Sequence, residues 1–322
     1  MLQQSHSSCR GKTYMKKLLF LLILLIALLS LCSCQQRQQR HSEKLLVVTT
    51  LFPLYDFARQ VGGDRIEVSL LLPPGVEPHS FEPTPDDILR INRADIFIFT
   101  NKYMEPWAVH MTDSIAKKSL VVDASRGVTF YPALENADAE DSHHDMGADP
   151  HIWLDFDNDR IIVDNMLTAF VAKDPSNRDY YTANATAYKA KLADLDKRFK
   201  EGLSQCATRD FIHGGHFAFG YMSRRYNLHY QSAYALNPDA EPTAAKLTDL
   251  IKQIRHSGLQ YVYTEELLSP RVAETIAAET GAGLLKLNGA HNITKSEFDR
   301  GVTFISLMEG NLKNLRTGLQ CQ

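Results

Sequence analysis

The sequence predicts an α/β fold of two lobes, each a mostly parallel sheet flanked by helices, with one long helix between them. Three observations carry this expectation. Short apolar or β-branched runs alternate with helical stretches from Leu45 to Val122, the alternation resumes from Asp210 to Leu287, and between them Ser176 to Glu201 contains neither Pro nor Gly. Strands interleaved with helices argue for parallel sheets covered on both faces.

In chain order, Leu18 to Leu31 is almost wholly apolar, follows Lys16 and Lys17, and closes on Leu31-Cys32-Ser33-Cys34. It reads as a signal peptide with a lipidation site, and it is too short for a comfortable transmembrane helix. Cys34 is the expected acceptor, because Ser33 supplies the small residue wanted before cleavage whereas Cys32 follows the bulky Leu31. Residues 1–34 are therefore leader and lipobox. The positive pair and apolar core directly follow Met15, so 1–14 read as an over-long start. Residues 35–44 are polar and Gln/Arg-rich, as a tether is.

The expected N-terminal lobe, 45–175, has strands at Leu45 to Phe52, Ile66 to Leu72, Asp95 to Thr100 and Leu120 to Val122. Helices fall at Pro53 to Val61 and Pro85 to Arg93. Glu135 to Asp149 is too polar to bury itself and is expected as a mobile loop. The linking helix, 176–206, presents Tyr181, Tyr188, Leu192, Leu195, Phe199 and Leu203 as an apolar stripe. At 1.5 Å per residue it would span roughly 40 Å. The C-terminal lobe, 207–322, has strands at Asp210 to His213, Leu228 to Tyr234, Leu259 to Tyr263 and Leu284 to Leu287, with helices at Thr243 to His256 and Pro270 to Thr280.

A net charge of -3 with Lys and Arg scattered leaves no electrostatic footprint for nucleic acid. Beyond the leader region the cysteines are Cys206 and Cys321, too few and too far apart for a cysteine metal site. In an oxidising compartment they could pair, but the sequence gives no geometry.

His79, His151, His216 and His291 recur about 65 to 75 residues apart, each at the edge of an apolar or aromatic segment. His79 lies between two prolines in Gly75-Val76-Glu77-Pro78-His79-Ser80-Phe81-Glu82-Pro83, which reduce the freedom of the backbone around one imidazole. His151 lies in Asp149-Pro150-His151-Ile152-Trp153-Leu154-Asp155, where carboxylates could orient the ring. His216 follows a strand through Gly214-Gly215, and His291 comes just beyond another strand. Ligands in open α/β sheets bind outside the carboxyl ends of strands. Any one of these histidines alone reads as a hydrogen-bonded structural residue, but their common placement favours a metal site.

The motifs around His79 and His151, with His216-Phe217-Ala218-Phe219-Gly220-Tyr221, resemble in order and spacing the three ligand motifs of the zinc- and manganese-binding solute-binding proteins of ABC transporters. The similarity runs from about Leu45 to the end. It includes the long helix, Asp239-Ala240-Glu241-Pro242-Thr243, Thr264-Glu265-Glu266 and a closing helix, Phe298 to Leu319. The resemblance implies two lobes joined by a rigid helix, metal held in the cleft between them, and delivery to a permease powered by a cytoplasmic ATPase. The leader and lipobox place the chain outside the cytoplasm, held to the membrane by its lipid, and a monomer is expected. The family's first three ligands carry over to His79, His151 and His216. The fourth position varies in the family, and alignment places His291 there, with Asn288 weaker and Glu265 a nearby carboxylate. This chain departs from the pattern at Phe156, where family members usually have Pro. Its histidine-rich loop is also reduced to His143 and His144, a candidate low-affinity antenna or simply a solvated loop.

Imidazoles suit Zn²⁺, whereas Mn²⁺ prefers carboxylate and water, so four histidines favour Zn²⁺ as the transported ligand over Mn²⁺ or Fe²⁺. Binding is expected to weaken below about pH 6 to 6.5 as imidazoles protonate. A zinc hydrolase would need a general base, for which Glu77 and Glu82 flank His79, yet no His-Glu-x-x-His helix or nucleophile elbow is present, and the chain is not expected to be an enzyme. An adhesin is the third class, although the sequence contains no separate adhesive module.

Overall fold

The computed structural model describes residues 44–111, 115, 119–132, 147–236 and 238–322, so the expected lipobox at Cys34 and the segment bearing His143 and His144 lie outside the described residues. The first sheet is formed by β1 (Leu45–Thr49), β2 (Ile66–Leu70), β3 (Ile96–Phe99) and β4 (Leu120–Asp123) in the order β2-β1-β3-β4. Helices α1 (Phe52–Gly62), α2 (Pro85–Arg93) and α3 (Pro106–Met111) connect its strands. Two helices follow, α4 (Phe156–Lys173) and α5 (Arg178–Gly202).

The second sheet, β5 (Asp210–His213), β6 (His229–Ser232), β7 (Tyr261–Thr264) and β8 (Gly283–Lys286), repeats the first in the order β6-β5-β7-β8. Its connections are α6 (Gly220–Tyr226), α7 (Ala244–Ser257) and α8 (Arg271–Thr280), and the chain closes with α9 (Lys295–Asp299) and α10 (Phe304–Gly318). Every strand pair is parallel. In both sheets the order reverses beside the first strand, which is the switch point where open α/β sheets bind ligands.

Local chemistry sets the element ends. Thr84 and Asp87 form a reciprocal capping box with Pro85 in the first turn of α2. Thr243 caps α7, which stops at Gly258 with φ 66°. β3 reads Ile-Phe-Ile-Phe and is buried throughout, as a central parallel strand covered on both faces must be.

Two elements differ from the sequence reading. The expected single closing helix is broken, because Gly301 takes φ 69° and Thr303 starts α10 through a capping box with Ser306. Helix α4 was not anticipated. Its buried Phe156, Ile162, Val163, Met166, Ala169 and Phe170 recur at helical spacing, but Asp157, Asp159, Arg160 and Asp164 interleave them and blur the stripe.

Helix α5 is packed rather than free-standing. Tyr181, Tyr188, Leu192, Leu195 and Phe199 are fully buried, against α1, α4 and α10. Burying each such side chain contributes about 1.5–3 kcal/mol. The departure at Phe156 has a packing role: its ring meets Phe199 at 5.2 Å and Phe304 at 6.4 Å, joining α5 to α10. The Phe304 amide in turn donates to Asp56 Oδ2 on α1 at 3.0 Å, so the last helix returns to the first lobe. One apolar cluster therefore runs from Val47 through Phe199 to Phe211 and Leu315.

Cys206 and Cys321 form a disulfide across a separation of 115 residues, which fastens the chain end just beyond α5. Closing a loop of that length contributes about 4–5 kcal/mol in the chain-entropy description. Among the described residues no helix is long and apolar enough to cross a membrane.

Candidate metal centre

Each of the four histidines is delivered by a loop whose backbone is fixed by its neighbours. After β2 the chain makes a turn in which Val76 N donates to Pro73 O at 3.1 Å, with Gly75 at φ 88°. A central Pro-Gly pair with the glycine at positive φ is the type II pattern. Glu77 Oε1 then accepts the His79 amide at 2.9 Å.

His151 is held from both sides. Asp149 Oδ1 meets its amide at 3.0 Å and its Nδ1 at 2.7 Å, while Asn101 Nδ2 donates to the Pro150 carbonyl at 2.9 Å. Asn101 is itself seated by the buried Glu105, which accepts its amide and the hydroxyls of Thr50 and Thr100.

His216 follows β5 through two glycines that have no room for a side chain. A Cβ on Gly214 would lie 2.7 Å from the Ala273 Cα, and one on Gly215 would lie 2.1 Å from Glu265 Oε2. That close approach lets Glu265 grip His216 twice, Oε2 to the amide at 2.9 Å and Oε1 to Nδ1 at 2.7 Å. His291 leaves β8 through Ala290 at φ 56°, with Asn288 Oδ1 accepting the Ala290 amide. Glu266 Oε2 accepts the Gly289 amide at 2.8 Å, and Glu266 Oε1 stands 3.6 Å from His291 Nδ1.

The structure brings all four predicted histidines together, one ligand atom from each lying within 4.8 Å of the others. His151 Nε2 is 3.4 Å from His79 Nε2 and 3.3 Å from His216 Nε2, and His216 Nε2 is 3.2 Å from His291 Nε2. A tetrahedral zinc with Zn–N bonds of ~2.0–2.1 Å has nitrogen–nitrogen edges of ~3.3–3.4 Å. Asp149 Oδ1 and Glu265 Oε1 lie 2.7 Å from Nδ1 of His151 and His216, so a proton on Nδ1 of these two rings faces a carboxylate and leaves Nε2 for the centre.

Burial sets the protonation of this cluster. It pulls His79 down to about 3 and holds His151 and His291 well below the usual imidazole value, with neighbouring imidazoles adding to the shift. His216 is the exception: burial lowers it, but the charge and hydrogen bond of Glu265 together with the charges of Glu77 and Glu266 outweigh burial and leave it above the usual value. Glu266 is pushed up to about 8 by burial and by the Glu265 charge, and Asp149 to about 7 by burial. Of the three carboxylates, Glu265 is the one held below its usual range, chiefly through His216 working against burial.

Glu265 therefore stands behind His216 with both oxygens engaged, and the position facing the centre is taken by His291. Asn288 uses its side-chain oxygen on the Ala290 amide. Glu82 is exposed on the His79 loop. Glu266, which lines the His291 side, carried no signal of its own beyond its place beside Glu265. Neither did Asn292 and Arg225, whose bonds link segments distant in sequence.

Two parallel sheets with matching switch points, a packed helix between them and four imidazoles meeting at the strand ends define a two-lobe metal-binding solute-binding protein. The residues from 47 to 318 match the family described as "Zinc-uptake complex component A periplasmic", and the chain belongs to that family. It is 37% identical over 288 residues to the high-affinity zinc uptake system protein ZnuA of Bacillus subtilis, covering 86% of this chain and 88% of that one. It is 35% identical over 278 residues to the zinc-binding lipoprotein AdcA of Streptococcus pneumoniae, covering 85% of this chain but 55% of AdcA, so it spans about half the length of that relative. Among solved structures it is similar to the Zn(II)-bound ZnuA-like domain of the same AdcA, with 34% identity and a TM-score of 0.74 over 86% of this chain and 99% of that domain.

Proposed function

We propose that this protein captures Zn²⁺ outside the cytoplasm with His79, His151, His216 and His291 as the four ligands, and delivers it to an ABC permease driven by a cytoplasmic ATPase. The observation that carries this is the convergence of four imidazoles, one nitrogen of each within 4.8 Å of the others and three Nε2 pairs at 3.2–3.4 Å, the edge length of a tetrahedral zinc site. A site made wholly of imidazole nitrogen suits Zn²⁺, whereas Mn²⁺ asks for oxygen ligands and a higher coordination number. The division into lobes at 45–175 and 207–322, attachment through a lipid on Cys34, and a monomeric state belong to the same proposal. No catalytic role is assigned, because the buried carboxylates are engaged with backbone amides and imidazoles of the cage.

Anomalous diffraction at the zinc edge, on crystals loaded with equimolar zinc and manganese, tests the assignment. The expected result is one zinc peak bounded by the four histidines. A manganese signal there, or a carboxylate oxygen in place of one imidazole, would overturn it. The acidic segment with His143 and His144 is proposed as an antenna, and unchanged zinc stoichiometry and uptake at scarce metal after deleting residues 138–145 would remove that role.

A further inference from the structure

We propose that Asn292 is a positioning residue that holds the His79 loop shut over the metal, and so sets the rate at which zinc leaves. Asn292 is fully buried, and its Nδ2 donates to Pro73 O at 2.7 Å and to Val76 O at 2.9 Å. These are the two carbonyls at the ends of the type II turn that begins the loop, so one side-chain amide grips the whole turn. The bonds span separations of 219 and 216 residues and join the segment after β8 to the segment after β2.

The neighbouring residue makes this a coupling between ligands. His291 supplies an imidazole to the cage, and its carbonyl accepts the Phe52 amide at 3.3 Å at the start of α1. Trp153 Nε1 adds a bond of 2.8 Å to the Gly289 carbonyl from the other side. The 288–293 segment is thus docked on the first lobe, and Asn292 extends from it to the loop bearing His79. Among the described residues the His79 ring has no ion pair to a carboxylate. Its position depends on its backbone, and the backbone is held by Glu77 and by Asn292.

The proposal rests on the reading that the cage binds zinc. The test is the rate of zinc loss to excess chelator from the full-length protein, for wild type, Asn292→Ala and Asn292→Asp, each alone and combined with His79→Ala. Asn292→Asp keeps the volume and removes both donors. Losing two neutral hydrogen bonds should speed release about 10- to 100-fold. In the His79→Ala background neither substitution should speed it further, because two changes acting through one contact are not additive. Equal acceleration in both backgrounds would show a general structural role and overturn the proposal, as would an unchanged rate.

Hydrogen exchange of the metal-free protein supplies a second reading. Amides of residues 73–84 should exchange faster in Asn292→Asp while those of the two sheets do not, and uniform acceleration overturns the proposal. Failure of wild type to take up one equivalent of zinc would instead bring down the cage itself, and Asn292's role with it.

Discussion

The two halves of the imidazole cage are built to different standards of rigidity. His151 and His216 are fully buried, and each has a carboxylate oxygen 2.7 Å from Nδ1 that also accepts, or belongs to a carboxylate that accepts, its own backbone amide. His79 is partly exposed, and His291 has its carboxylate at 3.6 Å. The difference teaches that a site can combine preorganisation with passage. Two ligands wait in place, and the other two sit on loops whose mutual hold decides when the ion moves.

Ligand truncation should separate the halves most strongly. His151→Ala and His216→Ala should each weaken zinc binding by more than about 100-fold, beyond the range of a partner that only orients a ligand. His79→Ala should cost less, in chelator competition at neutral pH. Equal losses at all positions would mean that the halves do not differ in function.

Next come the orienting carboxylates. Glu265→Gln should weaken zinc binding by about 10- to 100-fold. Glu266→Gln should do much less at pH 7, because Glu266, at about 8, is already mostly protonated there. Equal effects would erase the contrast between the His216 and His291 sides.

The pH dependence sharpens the same contrast. Because Nδ1 of His216 is held by Glu265, the second proton of that ring goes to Nε2, where it competes with metal. His216 lies above the usual imidazole value, so its protonation comes first as pH falls. Glu265→Gln should therefore shift the acid loss of zinc binding to lower pH, and no shift would separate Glu265 from this titration.

In the metal-free protein, His79, His151 and His291 are neutral where the unfolded chain takes protons. Their contribution to stability falls as pH drops below about 6.5 towards the folded values. His216, being raised, contributes oppositely: its share is full below the unfolded value and is lost as pH rises through the folded one. Glu105 and Asp149, at about 7, and Glu266, at about 8, take up protons in the folded chain at pH values where the unfolded chain does not, and so side with His216 against the three neutral imidazoles. The metal-free melting temperature should therefore change little between pH 7 and pH 5, and a steep fall over that interval would mean that the three neutral imidazoles dominate.

The smallest expected change concerns selectivity. His291→Asp should leave zinc bound but narrow its preference over manganese, since an oxygen donor then replaces a nitrogen. Competition between the two ions reads this directly, and an unchanged ratio would place selectivity on the other half of the cage.

The sequence by itself determined which residues could carry the chemistry and the order of the elements around them. The alternation of strands and helices, the stripe on α5 and the Pro-His and Gly-Gly-His signatures are local patterns, set by backbone geometry and by periodicity within a few residues. They were enough to place His79, His151, His216 and His291 at loop edges. Helix α4 escaped because charge interrupts its stripe, although Asp155 caps it and Phe156 begins its core face. The split between α9 and α10 escaped because a glycine inside a helical pattern does not show its φ.

Only the tertiary structure decided what stands behind each ligand. Glu265 and Glu266 are adjacent in sequence and both acidic, yet one grips His216 twice and remains charged while the other is largely neutral beside His291. Asn292 reaches across more than two hundred positions, and Cys206 finds Cys321 at the far end of the chain. Such pairings depend on how the two sheets meet along α5 in one shared core, and on the burial that meeting imposes. Distance and dielectric between residues remote in sequence are properties of packing, which no local pattern encodes.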